Sequence, residues 1–232
     1  DGRSTVTISV GAETVKEATR YAAAAEQAGA DAVMAIPPIT TVLPEQKIFE
    51  YYKAIIDVVT IPLVIQDASG YLGHSLSVNI QARLSNELGE RIYFKPEAQP
   101  IGPTLSALQE ALHGRGVIFE GSGGLFLLDS YHRGISGTMP GSDLIRGTVE
   151  IWKALESGDS TRAYEVYFPL ASIVVLQSVS FDAYVAIEKY LLVKQGIFKN
   201  TLLRQPANYE IDPCTAEEVD RLYSFYEAAL GS

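Results

Sequence analysis

Arg91-Ile92-Tyr93-Phe94-Lys95-Pro96-Glu97-Ala98 is the stretch on which the fold turns. Its β-branched and aromatic residues read as a buried strand, and the end of that strand carries an amine and a carboxylate. Ammonium groups are rarely fully buried unless paired, and a desolvated lysine amine holds its proton less tightly and becomes a nucleophile toward carbonyl carbon. The plainer alternative is a strand-end lysine that snorkels to water or pairs with Glu97. Side chains alternate faces along a strand, so Tyr93, Lys95 and Glu97 share one face and Phe94 and Pro96 the other.

Outward from this strand, strand-like and helix-like patterns alternate. Thr5 to Val10 reads as a strand, followed by a helix from about Ala12 to Ala28 that stops at Gly29. Asp31 to Ile36 is a second apolar strand, and Pro44 opens a helix running to about Val59. Pro62 to Asp67, Ile92 to Ala98, Gly116 to Glu120 and Gly134 to Thr138 read as further strands, with helices over Ser77 to Leu88, Pro103 to Leu112 and Leu125 to Tyr131 between them. The strands are continuously apolar, as parallel strands covered on both faces are. After Asp143 the pattern is helical throughout: Leu144 to Glu156, Thr161 to Ser178, Phe181 to Gln195 and Thr215 to Leu230. No linker or repeat divides the chain, so residues 1–143 are expected to form the βα portion and 144–232 helices packed on it, as one domain.

Six parallel βα units suit either an open doubly wound sheet or part of an eightfold barrel. No turn reads as G-x-G-x-x-G or as a P-loop; the nearest, Gly121-Ser122-Gly123-Gly124, has the wrong spacing. At 232 residues and 47% hydrophobic content the chain can bury one sizeable core, and no stretch is apolar over the ~20 residues that a membrane span needs. A net charge of −10 offers no counter-charge to nucleic acid or anionic lipid, so neither is an expected partner. One cysteine, Cys214, excludes an internal disulfide or a cysteine-based metal cluster, and with no signal segment at Asp1 it suits the cytoplasm.

Four segments together carry a resemblance: Glu26-Gln27-Ala28-Gly29-Ala30-Asp31-Ala32-Val33-Met34, Ile61-Pro62-Leu63-Val64-Ile65, Tyr93-Phe94-Lys95 and Gly134-Ile135-Ser136-Gly137. In order and spacing the chain resembles the dihydrodipicolinate synthase and N-acetylneuraminate lyase family from Thr5 to about Gln195. The resemblance implies a (β/α)8 TIM barrel with a C-terminal helical extension, a homo-oligomer (dimer or tetramer), and a lysine, here Lys95, that forms a Schiff base with a 2-keto acid. Matched this way, the chain starts at the family's third strand. The first two βα units, with the loop that holds the keto acid's carboxylate, have no counterpart, and the working protein is expected to be an eightfold barrel of about 300 residues.

The resemblance also shows departures. The relay tyrosine's place falls at Gln66, the synthase's entrance arginine at Tyr71, and the paired tyrosines at Ile39 and Thr40. Ile65-Gln66-Asp67-Ala68 with Phe94-Lys95-Pro96-Glu97 is instead similar to the branch that dehydrates 2-keto-3-deoxy sugar acids. A lyase acting by dehydration or retro-aldol cleavage is therefore expected. The alternatives are a keto-acid sensor without turnover, or a synthase-like protein of other specificity.

Strand parity adds an assignment of its own. At the mouth of such a barrel Glu97 stands one step above the amine, placed as general base; otherwise it is only the lysine's salt-bridge partner. Gln66 is expected to hydrogen-bond substrate or to be satisfied by backbone, and Tyr93 to line the site beneath the amine. Glu120 with Gly121, and Gly137 with Thr138, end the next two strands and are expected to line the same mouth. His74, His113 and His132 lack metal-pair spacing, and an iminium supplies its own electron sink, so neither metal nor cofactor is expected. Trp152 is expected to serve the core or a subunit contact.

Overall fold

A computed structural model describes residues 4–68 and 75–231. The alternating pattern is present. Strands β1 (Thr7–Ser9), β2 (Ala32–Ala35), β3 (Leu63–Asp67), β4 (Ile92–Pro96), β5 (Val117–Glu120) and β6 (Gly137–Thr138) form one sheet in sequential order. Each adjoining pair from β1 to β5 is parallel. The crossovers are helices α1 (Val15–Gln27), α2 (Glu45–Asp57), α3 (Val78–Leu88) and α4 (Ile101–Ala111). By contact the chain resolves into two compact units, residues 4–121 with 132–137, and 122–131 with 138–231. The break between them thus comes before the sequence-based boundary at Asp143.

Local chemistry sets the helix ends in the first unit. The Thr14 hydroxyl accepts from the Glu17 N–H at the start of α1, and Gly29, at φ +88°, follows its end in a conformation that side chains avoid. Ser77 caps α3 in the same way. Pro103 lies inside the first turn of α4, two residues later than that helix begins, where the missing N–H has no intrahelical partner to lose.

Burial along β4 alternates, with Ile92, Phe94 and Pro96 buried and Tyr93 and Lys95 half-buried. Val33, Ala35, Leu63, Ile65 and Ile118 share the face of Phe94 by register and are likewise buried. Each of these side chains except that of Ala35 contributes roughly 1.5–3 kcal/mol. The expectation of strands covered on both faces therefore holds fully for the face of Phe94 and in part for the other. The opposite face carries the buried Val64 and the half-buried Met34, Gln66, Tyr93, Lys95, Val117 and Phe119. At the other end of the strands the Arg91 guanidinium donates to the Val59 carbonyl at 2.6 Å, and the Glu26 carboxylate accepts from the Thr60 N–H at 2.8 Å. These bonds satisfy backbone groups exposed where α2 ends.

The second unit contains helices α5 (Leu127–His132, as far as Tyr131), α6 (Ile145–Glu156), α7 (Ser160–Gln177), α8 (Phe181–Lys194) and α9 (Pro213–Gly231). Asp159 and Ser180 cap α7 and α8. Trp152 stands edge-on to Tyr131, ring centroids 5.2 Å apart, and the Tyr167 hydroxyl donates to the Leu125 carbonyl at 2.6 Å, which explains why 122–131 joins this unit. The buried Tyr226 hydroxyl accepts from the Gly147 N–H at 2.7 Å and donates to the Leu144 carbonyl at 3.1 Å. Gly147 permits that approach, because a Cβ there would run into the Tyr226 ring. Among the described residues no helix is long and apolar enough to cross a membrane.

Asp143 is buried in this unit. Burial, and then the Glu188 carboxylate, push its carboxyl up to about 6, while the Gln177 amide, donating at 2.7 Å, opposes the rise. The folded state therefore holds a proton that the unfolded chain releases near pH 4, so stability falls as pH rises from about 4 to about 6. Keeping the ionised form costs up to about 3 kcal/mol at neutral pH. Asp143→Asn should raise Tm near pH 8 and lose most of that advantage near pH 4, as read by thermal melts across the window. A pH-independent difference would place the effect elsewhere.

Candidate active site

The face of β4 opposite Phe94 brings polar side chains together. Register pairs Gln66 of β3 with Lys95 of β4 and Val64 with Tyr93, so a glutamine stands beside the lysine on the same face. Beyond the end of β4 the Glu97 N–H donates to the Asp67 carbonyl at 3.0 Å, which carries the ladder one step further and holds Glu97 on the side of Lys95.

Three polar side chains converge there. Lys95 Nζ lies 3.0 Å from Glu97 Oε1, with the side chains only 13% and 8% exposed. Gln66 Nε2 donates to the same oxygen at 2.7 Å. An ionised carboxylate only accepts, which fixes the amide with its nitrogen toward Glu97. Among the described residues Oε1 takes the hydrogen bond from Gln66 and the 3.0 Å ion pair with Lys95, and no hydrogen bond reaches Oε2. Gly121 lies directly behind: a Cβ at that position would sit 2.5 Å from Glu97 Cγ and 3.0 Å from Oε1. No side chain fits there without moving the carboxylate.

Tyr93, two residues before Lys95 on the same face, and Phe119, one step past the Phe94–Ile118 pair on β5, lie next to one another, ring centroids 6.2 Å apart. A Cβ on Gly137 would come within 3.2 Å of the Phe119 ring, so that glycine accommodates the aromatic floor. Glu120 differs from its expected place. It is fully buried, and the alternation of β5 puts it on the face of Ile118, away from Phe119 and Lys95. Thr138 is half-buried at the end of β6 and belongs to the second unit, as do Ser122, Gly123 and Gly124. Tyr71 and His74 lie outside the described residues.

Ile39 and Thr40, at the positions expected for the paired tyrosines, donate their N–H groups to the Glu13 carboxylate at 3.0 and 3.1 Å. The Thr40 hydroxyl first, then these N–H groups, hold the Glu13 carboxyl below the usual range. Among the described residues no cluster of three or more His, Cys, Asp or Glu side chains could hold a metal.

The arrangement offers a nearly desolvated amine, a carboxylate with one oxygen tethered, and an apolar floor. An amine so placed can attack a carbonyl carbon, and the carboxylate beside it can move a proton at the next carbon. The bond from Gln66 to Glu97, the floor residue Phe119 and the steric role of Gly121 were not foreseen from sequence. Counting from the strand starts Leu63 and Ile92 was the available signal, since Gln66 and Lys95 occupy the same position in each.

Comparison with known proteins places the chain. The model of the dihydrodipicolinate synthetase family matches residues 1–223. The L-2-keto-3-deoxyarabonate dehydratase of Azospirillum brasilense is 32% identical over 205 residues, 84% of this chain and 63% of that protein. The 4-hydroxy-tetrahydrodipicolinate synthase of Chloroherpeton thalassium is 23% identical over 202 residues, 85% of this chain and 65% of that protein. The chain thus spans just under two thirds of the length of these relatives. Among solved structures, a prophage protein of the dihydrodipicolinic acid synthase family from E. coli K12, in complex with pyruvate, superimposes with a TM-score of 0.88 at 21% identity, covering 98% of this chain and 76% of that one. A catalytic lysine mutant of the Ruminococcus gnavus sialic acid aldolase gives 0.84 at 22% identity, covering 98% and 74%. A family match over nearly the whole length, on a parallel sheet whose fourth strand presents a lysine, makes this chain a member of the dihydrodipicolinate synthetase family.

Proposed function

We propose that the protein is a Schiff-base lyase acting on a 2-keto acid, most specifically by dehydration or retro-aldol cleavage of a 2-keto-3-deoxy sugar acid. The observation that carries this is the placement of Lys95 and Glu97 on one strand face with their side-chain atoms 3.0 Å apart and both largely removed from water. The family membership and the 32% identity to a 2-keto-3-deoxyarabonate dehydratase support it. The full protein would be an eightfold barrel, cytoplasmic and homo-oligomeric. An incomplete barrel would leave sheet edges open to mispairing.

Lys95 Nζ adds to the C2 carbonyl and water leaves, giving an iminium that draws electrons from C3. Glu97 takes a C3 proton and the C3–H electrons become the enamine double bond. For dehydration, the enamine then expels the C4 hydroxyl, which leaves as water with the proton that Glu97 returns. Glu97 stands above the amine along the strand, where a carbon attached to C2 would lie. Tyr93 and Phe119 keep water from the imine's lower side. Binding without turnover, as in a sensor, is the second reading, and Gln66 at the expected place of the relay tyrosine favours it. Turnover of a keto-sugar acid decides between the two.

Pyruvate with borohydride should add one adduct, on Lys95 alone, as mapped by peptide mass spectrometry; an adduct elsewhere, or none at saturating pyruvate, overturns the imine. Glu97→Gln should keep that adduct while dehydration falls by roughly 10²- to 10⁴-fold. If Glu97 were only an ion-pair partner, turnover at the optimal pH would instead stay nearly intact.

Gly121→Ala tests the space behind Glu97. Its methyl must displace the carboxylate, so kcat should drop by roughly 10²-fold while trapping of pyruvate persists. Wild-type kcat in that variant would show that the position of Glu97 is immaterial. Condensation of pyruvate with aspartate semialdehyde should fall well short of a kcat/KM of about 10⁴ M⁻¹s⁻¹, measured by a coupled assay.

A further inference from the structure

Gln66 stands where a substrate-binding amide was expected, yet one N–H of its nitrogen is given to Glu97. Nε2 donates to Glu97 Oε1 at 2.7 Å, closer than the 3.0 Å from Lys95 Nζ to that same oxygen. We infer that Gln66 is a positioning residue: it holds Oε1 of Glu97 and turns Oε2 toward the carbon that loses its proton. This rests on the assignment of Glu97 as the proton-transfer group.

The partners of the carboxylate change through the reaction. In the free enzyme the carboxylate has two polar partners, the Lys95 amine as an ion pair and the Gln66 amide as a hydrogen-bond donor. When Nζ joins C2, it keeps one hydrogen at most in the iminium and the enamine, and that hydrogen lies in the plane set by the new C=N bond. The hold of Lys95 on Glu97 weakens at the moment when the position of the carboxylate matters. Gln66 does not take part in the covalent change, and its neutral amide keeps the same donor throughout.

Gly121 closes the other side. Cγ of Glu97 lies 2.5 Å from where a Cβ would stand, so the glycine makes room for this side chain, and the bond from Gln66 sets the rotation of its carboxylate. Register makes the contact rigid, because Gln66 and Lys95 are paired residues of adjacent strands and the Glu97 N–H is anchored on the Asp67 carbonyl. A neutral donor suits the task. A lysine or arginine in this place would pair fully with the carboxylate and weaken it as a base.

Pyruvate separates this role from substrate binding, since it has the carbonyl, the carboxylate and C3 but none of the hydroxyls of a sugar acid. Two readouts on the complete protein suffice: borohydride trapping for the imine, and loss of the pyruvate methyl signal in D₂O, followed by NMR, for proton transfer at C3. Gln66→Met keeps the length of the side chain and removes the donor. Its trapping should match wild type while exchange at C3 falls roughly 10- to 100-fold.

Gln66→Glu serves as the second variant. It replaces the donor with a like charge beside Glu97, so exchange should fall at least as far as in Gln66→Met. An amide that served only to bind a substrate hydroxyl would give the opposite pattern. Pyruvate exchange would be unchanged in both variants, KM for a keto-sugar acid would rise, and the carboxylate would recover part of the binding by accepting from the hydroxyl; that result overturns the inference. Trapping at the wild-type rate shows that a variant has kept its folded site. Absence of trapping or exchange in the wild type, or exchange unaffected by Glu97→Gln, would count against the proposed function itself. Exchange that depends on Glu97 but not on Gln66 would count against the positioning role alone.

Discussion

A single carboxylate oxygen organises this site. Oε1 of Glu97 accepts from Gln66 Nε2 and forms an ion pair with Lys95 Nζ. Taking a charge out of water is costly unless it is paired and its remaining valences are hydrogen-bonded. Lys95 and Glu97 meet that condition through each other, and Gln66 supplies a second bond without adding charge. Removing either charged partner would strand the other, a loss of about 3–5 kcal/mol for a fully buried pair and less here, where some water remains. The lysine can stay inside the sheet because its charge has a partner two residues along the same strand.

The rest of the first unit serves to keep that oxygen in place. Alternation along β4 puts Phe94 into the core and Lys95 on the opposite face, so the packing of one residue orients its neighbour. Shifting the register of β4 by one residue would bury the amine among aliphatic side chains and expose Phe94, an exchange that the core opposes at every adjacent strand. Arg91, which precedes β4, donates to the Val59 carbonyl and fixes the strand's other end. The Arg91 bond lies at the amino end of β4 and the polar cluster of Lys95, Glu97 and Gln66 at its carboxyl end.

The helical unit contains a carboxylate under a different constraint. Asp143 has only neutral donors, Gln177 among them, and faces the like charge of Glu188, so its proton is retained to about pH 6. Glu97 is within reach of an ammonium. Two acidic side chains of one chain thus differ in their surroundings: Glu97 has a cation within contact distance, and Asp143 faces a like charge.

Sequence alone established the alternation of strands and helices, the helical tail, the lysine's place on a strand and the side that it shares with Glu97. These depend on periodicity and on residues close along the chain: a two-residue alternation, Thr14 and Ser77 as caps, and Gly29 as a stop. The family, too, was legible from four short segments in order. What tertiary structure decided was which residues from different strands meet. Gln66 reaches Glu97 because β3 and β4 pair in one register, Gly121 backs Glu97 because β5 lies beside β4, and Glu120 turns into the core because its strand alternates out of phase with the expected lining. Such contacts join residues far apart in the chain, and their geometry is set by strand register and by the space left between packed side chains, neither of which is written in any one segment.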